Sequence, residues 1–187
     1  MKNKKNNNGF TLIELISVVL IISVLSVYAF GQFNFSSGFS QKAVYDKLRA
    51  GLEYASKAAV AQRHYVCVCI GPSCATANSA TFTVDTRAPE SAGATFCDGT
   101  QVSNLTLPSA DSDCGGANNA VCSRSGATIG AASLTSFMFN AQGQAVNAAG
   151  AFVYPGITVT GENNISTSNC SSSAVSVCVN GPTGYVQ

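Results

Sequence analysis

The sequence predicts an α+β fold, a long N-terminal helix packed on an antiparallel β-sheet with disulfide-stapled loops. Three observations carry that expectation. A 21-residue apolar run, Phe10 to Phe30, precedes a segment with helical periodicity. Short β-branched runs separated by Gly, Pro and Asn fill the remainder. Eight cysteines in 187 residues suit a small domain held by disulfides in an oxidising compartment.

Composition narrows the function classes. Charged residues make up 10% of the chain and hydrophobic ones 46%, against roughly a quarter charged in an ordinary soluble domain. Such a chain is not a disordered tail, which needs high net charge and low hydrophobicity. Its formal charge of +1 gives no excess with which to recruit nucleic acid or an anionic surface. One histidine and no tryptophan leave little material for His-based catalysis or a multi-His metal site. No GxxxxGK or GxGxxG phosphate cradle is present. A Ser-His-Asp arrangement would have to use His64, at a helix–strand junction where a lone His serves as a surface or capping residue. The chain therefore reads as a non-enzyme with no cofactor.

The N-terminus reads as an export signal. Lys2, Lys4 and Lys5 precede the apolar run without any acid, which by the positive-inside rule keeps them cytoplasmic and sends the rest outward. As a helix, the run is about 31 Å long, enough to cross a bilayer core. Two readings of it compete. One is a secretory signal peptide removed after Val27-Tyr28-Ala29. The other is a retained helix, cut before the apolar run at Gly9-Phe10, where a small residue precedes a bulky one. Glu14 favours the second. A carboxylate in a membrane helix costs about 2.5–3.5 kcal/mol on insertion scales and needs a partner. Cleavage after Gly9 would create one, the α-amino group of Phe10.

Gly9-Phe10-Thr11-Leu12-Ile13-Glu14-Leu15 resembles the prepilin signal of type IV pilins and type II secretion pseudopilins. That resemblance implies cleavage after Gly9 by a prepilin peptidase, which also N-methylates Phe10. It implies that Glu14 pairs with the N-terminus of a neighbouring subunit during assembly. The implied partners are other major and minor pilins, met through the N-terminal helix, and an inner-membrane assembly platform. The implied location is a single pass in the inner membrane, with the C-terminal domain in the periplasm and later on the pilus. Gly31 stands where many pilins carry Pro, and loosens a helix through conformational freedom rather than a lost donor.

Gly31 to Ser40, rich in Gly, Ser and Asn, is expected to loosen or break the helix. From Gln41 the period returns: Val44, Leu48, Leu52, Ala55 and Ala59 share one face, and Lys42, Asp46, Arg49, Glu53 and Lys57 the other. This helix is expected to end near Arg63 or His64. Strands are expected at Tyr65–Ile70, Thr81–Val84, Leu105–Leu107, Leu134–Asn140, Gly156–Thr160 and Ala174–Val179, with Phe137 and Phe139 on one side. Residues 86–133 read as a loop-rich insertion stapled by Cys97, Cys114 and Cys122. Gly143 and Asn180-Gly181 mark turns, and Gly184–Gln187 returns as a short edge strand. The expected organisation is a leader at 1–9, a transmembrane and filament-core helix at 10–30, its amphipathic continuation at 31–64, and an extracytoplasmic β-rich domain at 65–187.

Three features resemble the H-type pseudopilins and FimT-like minor pilins. They are Ala58-Ala59-Val60-Ala61-Gln62-Arg63 running into Val66–Ile70, the segment Phe137 to Gly143, and the closing Thr183-Gly184-Tyr185-Val186. Within that group the cysteine-bearing Arg63-His64-Tyr65-Val66-Cys67-Val68 looks most like the minor pilins of MSHA-type pili. Some FimT-like relatives bind DNA through basic residues in their C-terminal region. Here the tail from Gly181 has none, and loss of the three leader lysines leaves seven basic against nine acidic side chains, so no cation cluster serves phosphate.

The pairing of Cys67, Cys69, Cys74, Cys97, Cys114, Cys122, Cys170 and Cys178 is open, since eight cysteines allow 105 connectivities. Loop length permits Cys69 with Cys74 and Cys170 with Cys178. Cys67-x-Cys69 is one residue too tight for an ordinary structural zinc pair, so disulfides are expected and no metal site. Asp111-Ser112-Asp113 faintly resembles a calcium loop but lacks the later ligands, and reads as a solvated acidic loop.

Overall fold

The structure is a computed structural model of the whole chain. It describes residues 11–30, 35–71, 78–87, 97, 101–108, 111–124, 127–131, 134–161 and 176–187. The chain divides into two compact units, 1–35 and 36–187.

The first unit contains helix α1, Leu12–Phe30. Thr11 caps it: the Glu14 amide lies 3.3 Å from Thr11 Oγ1 and 3.1 Å from its carbonyl oxygen. A hydroxyl accepting from the amide three residues on satisfies a donor that the first turn cannot. Ser17, Ser23 and Ser26 return their hydroxyls to backbone carbonyls one turn back, which lets them sit inside an apolar helix. From Leu12 to Leu25 every large aliphatic side chain is exposed. A helix that is apolar all round requires partners on every side.

The second unit is built on helix α2, Phe35–Gln62. The expected loosening from Gly31 to Ser40 is corrected in part: residues 35–40 are helical, and 31–34 lie outside the described residues. Gly and Ser disfavour helix by only about 1 kcal/mol or less each, which the anchored turns that follow can override. One such anchor is Gln41, whose Nε2 donates to the Val159 carbonyl at 2.8 Å. The apolar stripe is as expected: Val44, Leu48, Leu52, Ala55 and Ala59 are all buried. The helix stops where Arg63 takes a left-handed φ of 55°.

Two antiparallel sheets follow. The larger holds β1 (Val66–Ile70), β2 (Ser79–Asp85), β3 (Val102–Asn104), β4 (Ala120–Cys122), β6 (Ser136–Phe139) and β7 (Ala145–Val146), in the order β3-β2-β1-β6-β7. Strand β4 shares the far edge of β2 with β3: Ser79–Thr81 pairs with β4 and Thr83–Asp85 with β3. The smaller sheet holds β5 (Ala127–Ala131), β8 (Gly156–Gly161) and β9 (Ser176–Cys178), in the order β5-β8-β9. The single expected sheet is thus two, and β3, β4 and β5 divide the region expected to be loop. The expected strand at Leu105–Leu107 lies three residues early, at Val102–Asn104, while Leu105 and Leu107 are buried in the core.

Val66, Val68, Ile70, Phe82, Phe137 and Phe139 form one core with the α2 stripe. Phe137 and Phe139 do share a face, their rings edge to face at 5.4 Å between centroids. Three glycines set close approaches. At Gly51 of α2, a Cβ would lie 3.2 Å from the end of the Phe82 ring, so the helix rests tightly on β2. Gly143 and Gly184, both at positive φ, bring the β6–β7 turn and the C-terminal turn together over Ser56, whose hydroxyl donates to the Gly143 carbonyl at 3.1 Å. A Cβ on Gly184 would fall 1.7 Å from that same carbonyl oxygen. The C-terminus closes on the fold through the isolated Val179–Val186 bridge, where Gly184–Gln187 was expected to form an edge strand.

Candidate functional site

Two regions carry the chemistry: the N-terminal helix and the stapled loops. In α1, Glu14 is the one charged residue, and its side chain is exposed. Thr11-Leu12-Ile13-Glu14 has the spacing of a capping box, so a carboxylate at this position also faces the positive end of its own helix. Gly9 and Phe10 lie outside the described residues. Phe10 is also the first residue of the expected membrane span. Among the described residues no helix is long and apolar enough to cross a membrane.

Cys67 and Cys69 point from one face of β1, as their spacing requires. Cys67 is bonded to Cys97 and Cys114 to Cys122, with Cα separations of 5.6 and 5.2 Å. Cys69 and Cys178 are disulfide-bonded as well. Their expected partners Cys74 and Cys170 lie outside the described residues. Among the described residues no cysteine is free.

Each of the two described disulfides has a buried aspartate beside it, and sequence reasoning found only one of these acids. Asp85, fully buried at the end of β2, accepts the Cys97 amide at 2.9 Å. It also takes the Arg87 guanidinium two-handed, at 2.9 and 2.5 Å, and the Arg87 amide at 3.0 Å. Burial pushes this carboxyl upward. The Arg87 guanidinium and the two amides outweigh burial and hold it below the usual carboxylate range. His64 sits at the helix–strand junction as expected, half-buried, with Nδ1 3.0 Å from the Arg87 carbonyl oxygen. The ligand atoms of Cys67, Asp85 and Cys97 lie within 4.8 Å of one another. The sulfurs are spent on each other and the carboxylate on Arg87, so this donor set does not fit a metal.

Asp111 corrects the expectation of a solvated acidic loop. It is 4% exposed and caps the 3₁₀ turn Ser112–Cys114, accepting the Asp113 amide at 3.2 Å and the Cys122 amide at 3.3 Å. The Lys47 ammonium of α2 lies 2.7 Å from Asp111 and 3.4 Å from Asp113. The loop's two carboxylates thus converge on a cation supplied by the chain itself. Burial raises the Asp111 carboxyl, but Lys47 and the two amides hold it below its ordinary value. The hydrogen bond to Asp111 raises Lys47 in turn. The signal that would have found Asp85 is the Asp-x-Arg spacing at a strand end, which reads as a loop until the strand's length is known.

Residues 4–30 match the family model described as the prokaryotic N-terminal methylation motif. The match spans Gly9, Phe10 and Glu14 and supports a type IV pilin or pseudopilin, in which the motif is a signal for processing by a prepilin peptidase. No curated protein and no solved structure matches the chain.

Proposed function

We propose that the chain is a minor type IV pilin, a structural subunit that primes or joins a pilus of the MSHA type used in surface adhesion. The observation that carries this reading is the methylation-motif match over residues 4–30, with Glu14 five residues into the mature chain that would begin at Phe10. Cleavage after Gly9 and methylation of Phe10 leave an apolar helix that stores the subunit in the inner membrane, its stapled domain in the periplasm. The uniformly exposed aliphatic surface of α1 supports that step, since it needs lipid or neighbouring helices on all sides. On assembly the helix passes into the filament core, and Glu14 meets the amino group of a neighbouring pilin. The stapled domain decorates or caps the filament.

The sister reading is an H-type pseudopilin of a type II secretion system, which shares the N-terminal signal. The test is the N-terminal sequence and intact mass of the protein from native membranes, followed by deletion of its gene. A chain beginning at methylated Phe10, with pili lost on deletion, is the expected result. Normal pili with lost secretion would transfer the subunit to the secretion filament. A chain beginning at Phe30 would make it a secreted domain and end both filament readings.

A further inference from the structure

Strand β1 presents two cysteines side by side. Cys67 and Cys69 lie on the face opposite Val66, Val68 and Ile70, which pack on the α2 stripe. Two residues along a strand separate them by about 7 Å. A disulfide needs Cα atoms about 4.4–6.8 Å apart. Cys97 meets that condition with Cys67, at 5.6 Å, and Cys69 is bonded to a different partner. Chain length does not make this choice. Cys97 lies 12 residues beyond Asp85, a tether of up to roughly 40 Å that reaches either thiol of the reduced chain.

The sheet register does distinguish the two. Cys67 stands opposite Thr83 and Cys69 opposite Thr81. Asp85 follows two residues after Thr83 on the same face, which makes it a diagonal neighbour of Cys67, about 7–8 Å away between Cα atoms. Cys69 is about 14 Å from it, four residues down the ladder. The Asp85 carboxylate accepts the Cys97 amide at 2.9 Å. The Arg87 guanidinium, at 2.9 and 2.5 Å, and the Arg87 amide, at 3.0 Å, hold that carboxylate in place. Cys97 has a φ of 60°, a left-handed conformation that a residue with a Cβ keeps only where its surroundings impose it. The second staple repeats the arrangement. The Asp111 carbonyl accepts the Cys114 amide at 3.0 Å, and its carboxylate accepts the Cys122 amide at 3.3 Å. Lys47 fixes that carboxylate as Arg87 fixes Asp85.

We propose that Asp85 is a positioning residue that selects the disulfide partner of Cys97: by capturing the Cys97 amide it delivers this thiol to Cys67 and withholds it from Cys69. Strands β1 and β2 are consecutive, so the face carrying Asp85 and both β1 thiols assembles through local pairing. The oxidant is a disulfide, for which oxidised glutathione is the probe. One cysteine thiolate attacks it and expels a glutathione thiolate. The partner thiolate then attacks the mixed disulfide and expels the other. One Sγ–Sγ bond forms, the glutathione S–S bond is lost, and the two cysteine protons end on two molecules of reduced glutathione. Asp85 makes and breaks no bond, and sets which thiol is in reach at the second step. This inference concerns the folded domain alone and is independent of the filament reading.

The test is oxidative refolding of the full chain. Reduced, denatured protein is diluted into detergent with reduced and oxidised glutathione, quenched with acid at early times and digested, and its linked peptides are identified by mass spectrometry. Fragment ions on either side of Val68 tell Cys67 from Cys69. The wild type should place Cys97 on Cys67. In Asp85→Ala the ratio of Cys67–Cys97 to Cys69–Cys97 should fall by about tenfold or more, the preference that one hydrogen bond to a charged acceptor supplies. Asp85→Asn keeps an oxygen for the Cys97 amide and should restore most of the wild-type ratio. Leu52→Ala, which weakens the core away from the clasp, and Asp111→Ala should both keep Cys97 on Cys67. The proposal is overturned if Asp85→Ala retains the wild-type ratio, if Leu52→Ala shifts it equally, or if Asp85→Asn falls as far as Asp85→Ala. The products are read after quenching and digestion, so the result does not depend on Asp85→Ala reaching a stable fold.

Discussion

Asp85→Asn isolates the electrostatic part of the stapled loop. The substitution keeps the side-chain shape and leaves one oxygen to accept the Cys97 amide, now 2.9 Å away. It removes the charge that the Arg87 guanidinium grips at 2.9 and 2.5 Å, and sets an amide N–H₂ against guanidinium donors. Asp85 is fully buried and the Arg87 side chain is 14% exposed, so neither group can turn to water without opening the β2 end. Breaking a buried pair on one side costs about 3–5 kcal/mol. The retained amide bond and the partial access of Arg87 place the expected loss near the lower end, about 3 kcal/mol. The assay is urea unfolding of the oxidised full chain in detergent, followed by circular dichroism. The double variant Asp85→Asn/Arg87→Met should recover part of the loss, because it removes the stranded charge as well. A loss below about 1 kcal/mol for the single variant, the size of an exposed pair, would refute the argument that burial makes this pair matter.

Four further outcomes follow from the same geometry. Asp85 and Asp111 both titrate below their unfolded value, so the unfolded state takes up protons first as pH falls; stability should hold above about pH 4 and fall as pH drops through the lowered folded values, seen as a falling Tm in an acid series. Gly184→Ala should destabilise strongly, by about 3 kcal/mol or more, since its Cβ would lie 1.7 Å from the Gly143 carbonyl oxygen at a φ of 64°; a denaturation midpoint within error of wild type would contradict it. Leu48→Ala and Leu52→Ala should each cost about 2–5 kcal/mol in the same urea assay, as both side chains are fully buried in the stripe. Glu14→Ala should be cleaved and methylated normally yet be missing from sheared filaments by immunoblot, and normal incorporation would remove Glu14 from the assembly argument.

What the sequence made legible follows how locally each element is determined. The α2 stripe was readable because its burial is set by a 3.6-residue period within one segment. Strands β1, β6 and β8 were readable because β-branched and aromatic runs fill both faces. Strands β4 and β5 were not: Ala120–Cys122 and Ala127–Ala131 are short and small, and each exists because a partner, β2 or β8, supplies its ladder. The same holds for the buried acids. The burial of Asp111 is not legible locally, because its partner Lys47 lies 64 residues earlier on α2. The disulfide connectivity was out of reach for the same reason, since Cys67–Cys97 closes across 30 residues.

The N-terminal helix raises a different question, because its signal residue has two plausible jobs. Thr11 and Glu14 stand at capping-box spacing, and an acid in the first turn is stabilised by the dipole of its own helix. That service is worth only about 0.3–1 kcal/mol at an exposed terminus, and any acid in the first turn could supply it. It does not repay the several kcal/mol that a carboxylate costs once the flanking aliphatic surface enters an apolar environment. A chain selected for helix capping alone would place the acid outside the apolar run. Glu14 instead stands between Ile13 and Leu15, both heavily exposed. The cost is offset only if a cation arrives, and under the proposed cleavage after Gly9 that cation would be the α-amino group of Phe10, on this chain or a neighbour. Capping thus explains where α1 begins, and the misplaced charge explains why α1 should not remain alone.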